Sequence, residues 1–241
     1  MIRSDPFDGI LLVDKPAGPT SHDIVYKIRR HFNLKKVGHG GTLDPAATGL
    51  LVILLGRGTR ASNRFMSSDK TYEGTIRLGI TTDSQDGQGN VIGEADPSGI
   101  TRDLLESAMA KFKGDMYQTP PMVSAIKVEG VPLYKLARKG EEIERKPRFV
   151  HIYEFRLLDY TPPSGTFVLR CSKGTYVRTI CHDIGTALGV GAHLSQLRRT
   201  ESAGYTLKNA VTLDALLTME QRDLINVVLP LHTLALQPGE A

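Results

Sequence analysis

The chain has 241 residues, of which 40% are hydrophobic and 23% are charged, and its formal net charge is +4. This length and composition predict a folded globular protein with a substantial core. The longest apolar run, Leu50–Leu55, is far shorter than the roughly 20 residues of a membrane-spanning helix, and residues 1–8 lack the features of a secretory signal. We therefore expect no membrane association and a cytoplasmic location.

Hydrophobic spacing predicts a strand, a helix and a second strand in the first quarter of the chain. Residues 9–13 form an apolar run that is typical of a buried strand, and Lys15 lies at its end. Residues that favour helix caps precede a helical spacing of apolar side chains, so we expect a helix over 21–32. The apolar run at 50–55 predicts a buried strand.

The later elements alternate irregularly between strands and helices. The predicted strands span 72–78, 123–128, 148–159 and 165–172, and the predicted helices span 61–66, 102–112, 133–137 and 177–188, with weak helical character after 212. This order predicts an α+β fold with a mixed sheet flanked by helices. The polar segment 83–90 follows a predicted hairpin strand, and because its spacing does not match a calcium-binding loop, it indicates a solvated turn.

Basic residues occur in two clusters. The first comprises Lys27, Arg29, Arg30, Lys35 and Lys36, and the second comprises Lys135, Arg138, Lys139, Arg145, Lys146 and Arg148. Each cluster alone is equally well explained as a solvated helix face. Together they favour a polyanionic partner such as a nucleic acid.

A glycine-rich segment, Gly38–Gly49, contains a single acid, Asp44, just before the predicted strand at 50–55. Glycine lets the backbone approach a ligand closely, and Pro45 stiffens the chain beside the carboxylate. Taken alone, an Asp-Pro pair in such a loop is more typical of a turn or a helix cap.

Five motifs in chain order resemble those of one enzyme family. They are Asp14–Ser21 (DKPAGPTS), Gly41–Gly49 (GTLDPAATG), Lys70–Tyr72 (KTY), Cys171–Thr179 (CSKGTYVRT) and Gly191–Arg199 (GAHLSQLRR). These segments are similar to the motifs of the TruB family of transfer RNA pseudouridine synthases, and the resemblance covers residues 9–217. It implies the pseudouridine synthase fold, α+β with a mainly antiparallel mixed central sheet flanked by helices.

The resemblance implies isomerisation of a uridine in the T-arm of tRNA, at position 55, without a cofactor or a metal. Breaking the glycosidic bond and rejoining the base through its carbon 5 changes no net composition, so no redox or group-transfer cofactor is required. Asp44 would be the catalytic carboxylate. It could attack the sugar C1′, attack C6 of the base, or remove the 2′ proton, and the sequence leaves these three routes open.

The other catalytic and binding roles are also implied by the resemblance. Arg178 would pair with Asp44 and keep it ionised. Tyr72 would stack on the uracil and could accept the C5 proton. Tyr176 and Leu197 would form further walls of the base pocket, although packing in the core explains them almost as well.

Two more residues, His39 and Lys15, are expected to bind or support the substrate. His39 would enter the T-loop and fill the gap left by the flipped uridine. Gly40 stands where the family commonly has threonine, which either loosens the loop or is tolerated. Lys15 would support the active-site loop or contact phosphate.

We expect one catalytic domain over 1–217, with a thumb-like insertion at about 115–150, and a short extension over 218–241 in place of a PUA-type RNA-binding domain. The expected partner is the T-arm stem-loop of tRNA, bound by a monomer with no obligate protein partner. Basic clusters would then supply more of the phosphate contacts.

Two other functions fit parts of the sequence. An RNA-binding or RNA-folding protein could keep the fold without turnover, but the presence of Asp44, Tyr72 and Arg178 together argues against it. A metal-dependent or aspartate-nucleophile hydrolase is suggested by the pairs His22-Asp23 and His182-Asp183 and by the acids at 83–86. No metal-ligand spacing supports a hydrolase.

Overall fold

A computed structural model describes residues 6–124, 126–128, 130–133, 136 and 139–231. The chain divides into two compact units. The first comprises 1–70 and 198–241, and the second comprises 71–197.

Strands dominate both units. In chain order the strands are β1 Gly9–Lys15, β2 Val37–His39, β3 Thr48–Leu55, β4 Lys70–Leu78, β5 Ile80–Thr82, β6 Val91–Glu94, β7 Gly114–Gln118, β8 Lys127–Val128, β9 Val131–Pro132, β10 Arg148–Thr161, β11 Ser164–Cys171, β12 Ala192–Ser202, β13 Tyr205–Thr206, β14 Val211–Thr212 and β15 Val228–Pro230. The α-helices are α1 Ser21–His31, α2 Ser62–Met66, α3 Arg102–Ala110, α4 Val177–Ala187 and α5 Leu213–Thr218. Short 3-10 helices span Gly56–Ala61, Leu207–Asn209 and Gln221–Asn226.

The sheet of the first unit is built around β1. Strand β1 pairs antiparallel with β3 along its whole length, from Gly9 opposite Leu55 to Lys15 opposite Gly49. Strands β14 and β15 also pair with β1, while β3 pairs with β2 and with the end of β12. Every residue of β3 after Thr48 is buried, as expected for a strand covered on both faces. The strand leads directly out of the glycine-rich loop, which is thereby fixed at one end.

Helix α1 covers the first unit with one apolar face. Ile24, Val25 and Ile28 are buried, and a capping box between Thr20 and Asp23 begins the helix. On the other side of the sheet a core cluster contains Ile10, Leu12, Leu50, Val52, Leu54 and Phe65. Because α1 is fixed by both its cap and its packing, the loop before it is held at a defined place.

The second unit contains the strand order β12–β4–β11–β10–β7, with the first part of β12 at one end. In it, β10 pairs antiparallel with both β11 and β7, and the two-stranded sheets β5–β6 and β8–β9 of this unit are also antiparallel. Helix α3 packs onto the sheet at Gly165, where a Cβ would lie 3.0 Å from Leu105. Phe155 and Phe167 meet edge to face with ring centroids 5.3 Å apart. The sheet-plus-helix layering is that of an α+β fold.

Most predicted elements are confirmed, including β1, α1, β3, β4 and α4, and so is the mixed, mainly antiparallel sheet. Helix α3 ends at Ala110, earlier than the predicted 112. Strand β12 was not predicted from the sequence. The predicted basic helix at 133–137 falls largely outside the described residues. In the described part of the chain, no helix is long and apolar enough to cross a membrane.

Candidate active site

The predicted site residues fall into both units of the chain. Lys15, His39 and Asp44 belong to the first unit, and Tyr72, Tyr176, Arg178 and Leu197 belong to the second. Each group has its own supporting contacts within its unit.

Lys15 supports the loop that carries Asp44. Its side chain is fully buried, and its Nζ donates hydrogen bonds to the carbonyl oxygens of Pro16 at 2.9 Å, Pro45 at 3.0 Å and Ala47 at 2.7 Å. The last two carbonyls lie just after Asp44 in the sequence. Of the two roles expected for Lys15, the described contacts therefore match loop support, since all three hydrogen bonds go to main-chain oxygens.

Ser21 and Gly18 hold the same loop from the side of α1. The Ser21 hydroxyl accepts a hydrogen bond from the Leu43 amide at 2.9 Å and donates one to the Leu43 carbonyl at 3.1 Å. The Gly18 amide donates to the Pro45 carbonyl at 2.9 Å. The residues on either side of Asp44 are thus both anchored to the start of the helix.

Arg199 is a third anchor, and the sequence analysis assigned it no role. It is 1% exposed, and its guanidinium donates to the carbonyl oxygens of Leu50 at 2.7 Å, Gly41 at 3.1 Å and Thr42 at 3.3 Å. The arginine fork therefore bridges the beginning of the loop and the start of β3. The only earlier signal was the pair Arg198-Arg199 within a motif that resembles the family's.

Gly49 allows the main chain of β12 to approach the loop. Its φ is +97°, and a Cβ at this position would lie 2.3 Å from the Arg199 carbonyl oxygen. A side chain at position 49 would be strained by the positive φ and would also clash with the Arg199 carbonyl oxygen. Glycine is therefore required at position 49 by two independent constraints.

The loop around Asp44 has an electropositive base. Asp44 itself is half-buried. Burial lowers the pKa of Lys15 from its ordinary 10.5 to about 8, against the opposing charge of Asp44, and Arg199 lowers this pKa further. The two buried cations, Lys15 and Arg199, favour the ionised form of a nearby carboxylate.

His39 lies at the end of β2, opposite Ile53 of β3. Its ring is half-buried, and Nδ1 accepts a hydrogen bond from the Gly41 amide at 3.3 Å, which requires a tautomer unprotonated at Nδ1. Burial lowers the pKa of His39, and the charges of Arg199 and His22 lower it further. Both effects favour the neutral form of the imidazole.

The departure at Gly40 has a packing reason. A Cβ at this position would lie 2.5 Å from the Cβ of Phe65, which belongs to α2 and cannot move without shifting the helix. The Gly40 amide also donates to the Val52 carbonyl at 2.8 Å, so its backbone is held. Glycine at position 40 fits the close approach of Phe65 and does not leave this part of the loop unsupported.

In the second unit, Arg178 is held by residues that the sequence analysis did not name. Its side chain is 4% exposed and donates to the Val123 carbonyl at 2.6 Å and to Asp86 at 3.5 Å. Asp86 in turn accepts a hydrogen bond from the Ser84 hydroxyl at 2.7 Å. The interpretation of 83–90 as a solvated turn was therefore wrong for Ser84 and Asp86, which turn inward to reach a buried cation.

Tyr176 is fixed by a reciprocal pair of hydrogen bonds with Gln118. The Tyr176 amide donates to Gln118 Oε1 at 2.8 Å, and Gln118 Nε2 donates to the Tyr176 carbonyl at 3.0 Å. The guanidinium of Arg178 lies 5.7 Å from the centroid of the Tyr176 ring. Tyr72 is buried on β4, and Leu197 is half-buried on β12. Tyr176 and Arg178 are thus in contact with each other.

One of the residues behind the hydrolase alternative, Asp23, has a structural role. Asp23 caps α1 and accepts hydrogen bonds from the Thr20 amide at 2.8 Å and hydroxyl at 2.7 Å. Throughout the described ranges, no three His, Cys, Asp or Glu side chains are grouped as metal ligands would be. No described cluster therefore offers a site for a metal.

Two family models match this chain. The TruB family pseudouridylate synthase N-terminal domain matches residues 29–177, and the tRNA pseudouridylate synthase B C-terminal domain matches residues 178–235. The chain therefore belongs to the TruB family of pseudouridine synthases, which are intramolecular isomerases.

Several curated proteins are similar over most of the chain. The tRNA pseudouridine synthase B of Opitutus terrae is 52% identical over 228 residues, which cover 95% of this chain and 95% of the relative. The tRNA pseudouridine synthase B of Syntrophotalea carbinolica is 52% identical over 216 residues, covering 90% of this chain and 71% of the relative. The resemblance seen in five motifs thus extends along nearly the whole sequence.

A solved structure supports the same fold. The chain is 30% identical to a chain in the crystal structure of a Cbf5-Nop10-Gar1 complex, with a TM-score of 0.75. The match covers 95% of this chain but 62% of the other, so this chain spans less than two thirds of that protein. The prediction of a pseudouridine synthase fold is confirmed.

Proposed function

We propose that this pseudouridine synthase converts a uridine in the T-loop of tRNA, position 55 by family resemblance, to pseudouridine, with Asp44 as its catalytic carboxylate. The observation that carries the proposal is the support of the Asp44 loop. Lys15, Ser21 and Arg199 bind main-chain groups on both sides of Asp44 and leave its carboxylate half-buried. Such preorganisation suits a residue that must meet a substrate atom at fixed distance.

The chemistry asks this carboxylate to be ionised near neutral pH. The buried Lys15 interacts electrostatically with Asp44, and this attraction favours the charged form of both groups. An ionised Asp44 can act as a nucleophile at C1′ or C6, or as the base that removes the 2′ proton. Each of these three reaction routes is compatible with the proposed role of Asp44.

The remaining roles in this proposal rest on the family motifs. Arg178 would pair with Asp44, and Tyr72 would stack on the uracil and accept the C5 proton late in the reaction. Tyr176 and Leu197 would line the base pocket. Within the second unit, Arg178 and Tyr176 are already oriented by fixed partners, which suits residues that must not reorganise during the reaction.

His39 would occupy the space that the flipped uridine leaves in the T-loop. A neutral, half-buried imidazole can stack on bases without adding a charge to the stack. We further propose that the protein acts in the cytoplasm as a monomer and uses neither a cofactor nor a metal.

The test compares wild type with Asp44→Asn on a T-arm stem-loop and on full-length unmodified tRNA. Because the base is rejoined through carbon 5, tritium at that carbon is released to solvent, and its release measures turnover. We expect release with wild type, none with Asp44→Asn, and similar RNA binding by both. A stem-loop with cytidine at position 55 is the substrate control.

Three results would contradict parts of the proposal. Turnover by Asp44→Asn would remove Asp44 from the chemistry. Pseudouridine at another uridine, located by mass spectrometry of nuclease fragments, would overturn the position. Tight binding by wild type without any product would favour the RNA-binding alternative.

A further inference from the structure

The residues of the first basic cluster are exposed on the first unit. We call Lys27, Arg29, Arg30, Lys35 and Lys36 the α1 basic surface. All five residues are exposed, and no acid occurs between residues 27 and 36. Within the described ranges none of the five forms a salt bridge, and the nearest acid on α1 is Asp23, which interacts electrostatically with Lys27. Their charge is therefore directed to solvent.

Helix α3 of the second unit provides a contrast within the same protein. It carries two acids, Asp103 and Glu106, and one basic residue, Arg102, which forms an ion pair with Glu106 at 2.8 Å. Mixed signs of this kind are usual for a solvated helix face. The α1 basic surface has a single sign, so the ordinary explanation of a solvated face accounts for it less well.

The α1 basic surface is held in a fixed relation to the Asp44 loop. At its beginning, α1 is bonded to that loop through Ser21 and Leu43. At its end, Gln221 donates a hydrogen bond to the Phe32 carbonyl at 2.8 Å. At about 1.5 Å per helical residue, Lys27 to Arg30 lie roughly 9–14 Å along α1 from Ser21, and Lys35 and Lys36 follow the end of the helix.

This spacing suits a macromolecular polyanion better than a small anion. A nucleic acid that places one nucleotide at Asp44 and also reaches Lys27 and Arg30 must extend over several nucleotides. Its sugar–phosphate backbone presents regularly spaced negative charges that exposed Lys and Arg side chains neutralise with release of counterions.

We infer that the α1 basic surface binds backbone phosphates of the substrate tRNA away from the uridine that reacts at Asp44. The inference rests on the proposed function for its choice of RNA. Positive side chains near the C-terminal end of α1 also interact favourably with the helix dipole, which offers a second explanation for those within the helix. Lys35 and Lys36 lie beyond the helix end, so the dipole does not explain them.

The test measures equilibrium binding of unmodified tRNA by fluorescence anisotropy at several salt concentrations. The variant is Lys27→Gln/Lys35→Gln/Lys36→Gln. A second variant changes the same three lysines to arginine and keeps their charge. The control is Lys111→Gln/Lys113→Gln, which removes exposed charges from the second unit.

Neutralising three phosphate contacts should weaken tRNA binding about tenfold or more at moderate salt and should lower the slope of log K against log salt by about 2 to 3. The arginine variant should bind as wild type does, and the second-unit control should keep the wild-type slope. With saturating tRNA the glutamine variant should keep the wild-type kcat while its KM rises, because the three lysines lie outside the Asp44 loop.

The inference is overturned if the glutamine variant keeps the affinity and salt slope of wild type, or if the second-unit control loses as much of both. Binding is measured without turnover, so the two proposals fail separately. If wild type binds tRNA through this surface but releases no tritium, the proposed function fails and the surface stands. If wild type turns over and the glutamine variant binds tRNA as wild type does, the inference about the surface fails and the proposed function stands.

Discussion

Replacing Arg199 with methionine should destabilise the protein severely, because it removes a buried guanidinium with three carbonyl partners. The hydrogen bonds to Leu50, Gly41 and Thr42 measure 2.7, 3.1 and 3.3 Å. A hydrogen bond to a charged group contributes about 1.5–3 kcal/mol, and losing one partner leaves a buried group unsatisfied. Because the three bonds are not additive, we expect a loss of about 3–5 kcal/mol in the free energy of unfolding.

Arg198→Met is the matched control. Arg198 is adjacent in sequence, but its side chain is 40% exposed and pairs with Asp14 at 2.7 Å. A partly exposed ion pair of this kind contributes about 0–1 kcal/mol. Neighbouring arginines of the same strand should therefore differ by several fold in their effect on stability.

Urea unfolding followed by circular dichroism measures both variants, and tritium release is measured at a temperature where each is folded. Arg199→Met should also lose turnover, since the Asp44 loop loses one of its anchors. Arg199→Lys keeps the charge but not the fork and should fall between wild type and Arg199→Met. Equal stability losses for the methionine variants at 198 and 199 would refute the reasoning.

Three further substitutions test other contacts. Gly49→Ala places a Cβ 2.3 Å from a main-chain oxygen at φ +97°, so it should lower the free energy of unfolding in urea by at least about 3 kcal/mol. The control is Gly18→Ala, which has φ +106° but open space around the new Cβ, and it should lower the free energy of unfolding by about 1–2 kcal/mol. Asp86→Asn should lower kcat about tenfold by removing the charge beside a buried arginine, while Asp83→Asn in the same loop should leave kcat unchanged. Because the pKa of Lys15 is lowered from 10.5 to about 8 in the folded protein, the unfolded chain holds a proton between these pH values that the folded chain has lost. The free energy of unfolding should therefore rise with pH in this window, by up to about 1.4 kcal/mol per pH unit. Lys15→Met should lack this slope when unfolding is measured as a function of pH.

Elements with a clear hydrophobic period could be predicted from the sequence. Strand β1 and helix α1 follow directly from apolar spacing and cap residues. Strand β12 could not, because it carries Arg198 and Arg199 where an ordinary strand would alternate apolar and polar residues. One of these arginines is buried and satisfied by main-chain carbonyls, a condition that depends on the folded loop and has no local signature.

The site shows the same limit. Asp44 and Lys15 could be proposed because they lie in recognisable motifs; Lys15 bonds to main-chain oxygens of the loop, and the functional roles of both residues stay predictions. Asp86 could not be found, because its loop is polar and nothing in its spacing indicates a buried partner at Arg178, nearly a hundred residues away. Such pairs depend on tertiary structure, and the sequence contains only their separate halves. The domain boundary at 217 and the pairing of Arg178 with Asp44 stay predictions.

The anchoring of the Asp44 loop has a consequence for how the substrate is accommodated. Arg199 contacts this loop through its side chain at Gly41 and through its main chain at Gly49, so moving the loop away means breaking pairing at the end of β12 as well. Local opening of such a segment should approach the free energy of opening the strands themselves, and its amides should exchange hydrogen slowly. The loop then behaves as a template of nearly fixed shape, and the adaptation needed for a productive complex falls on the RNA.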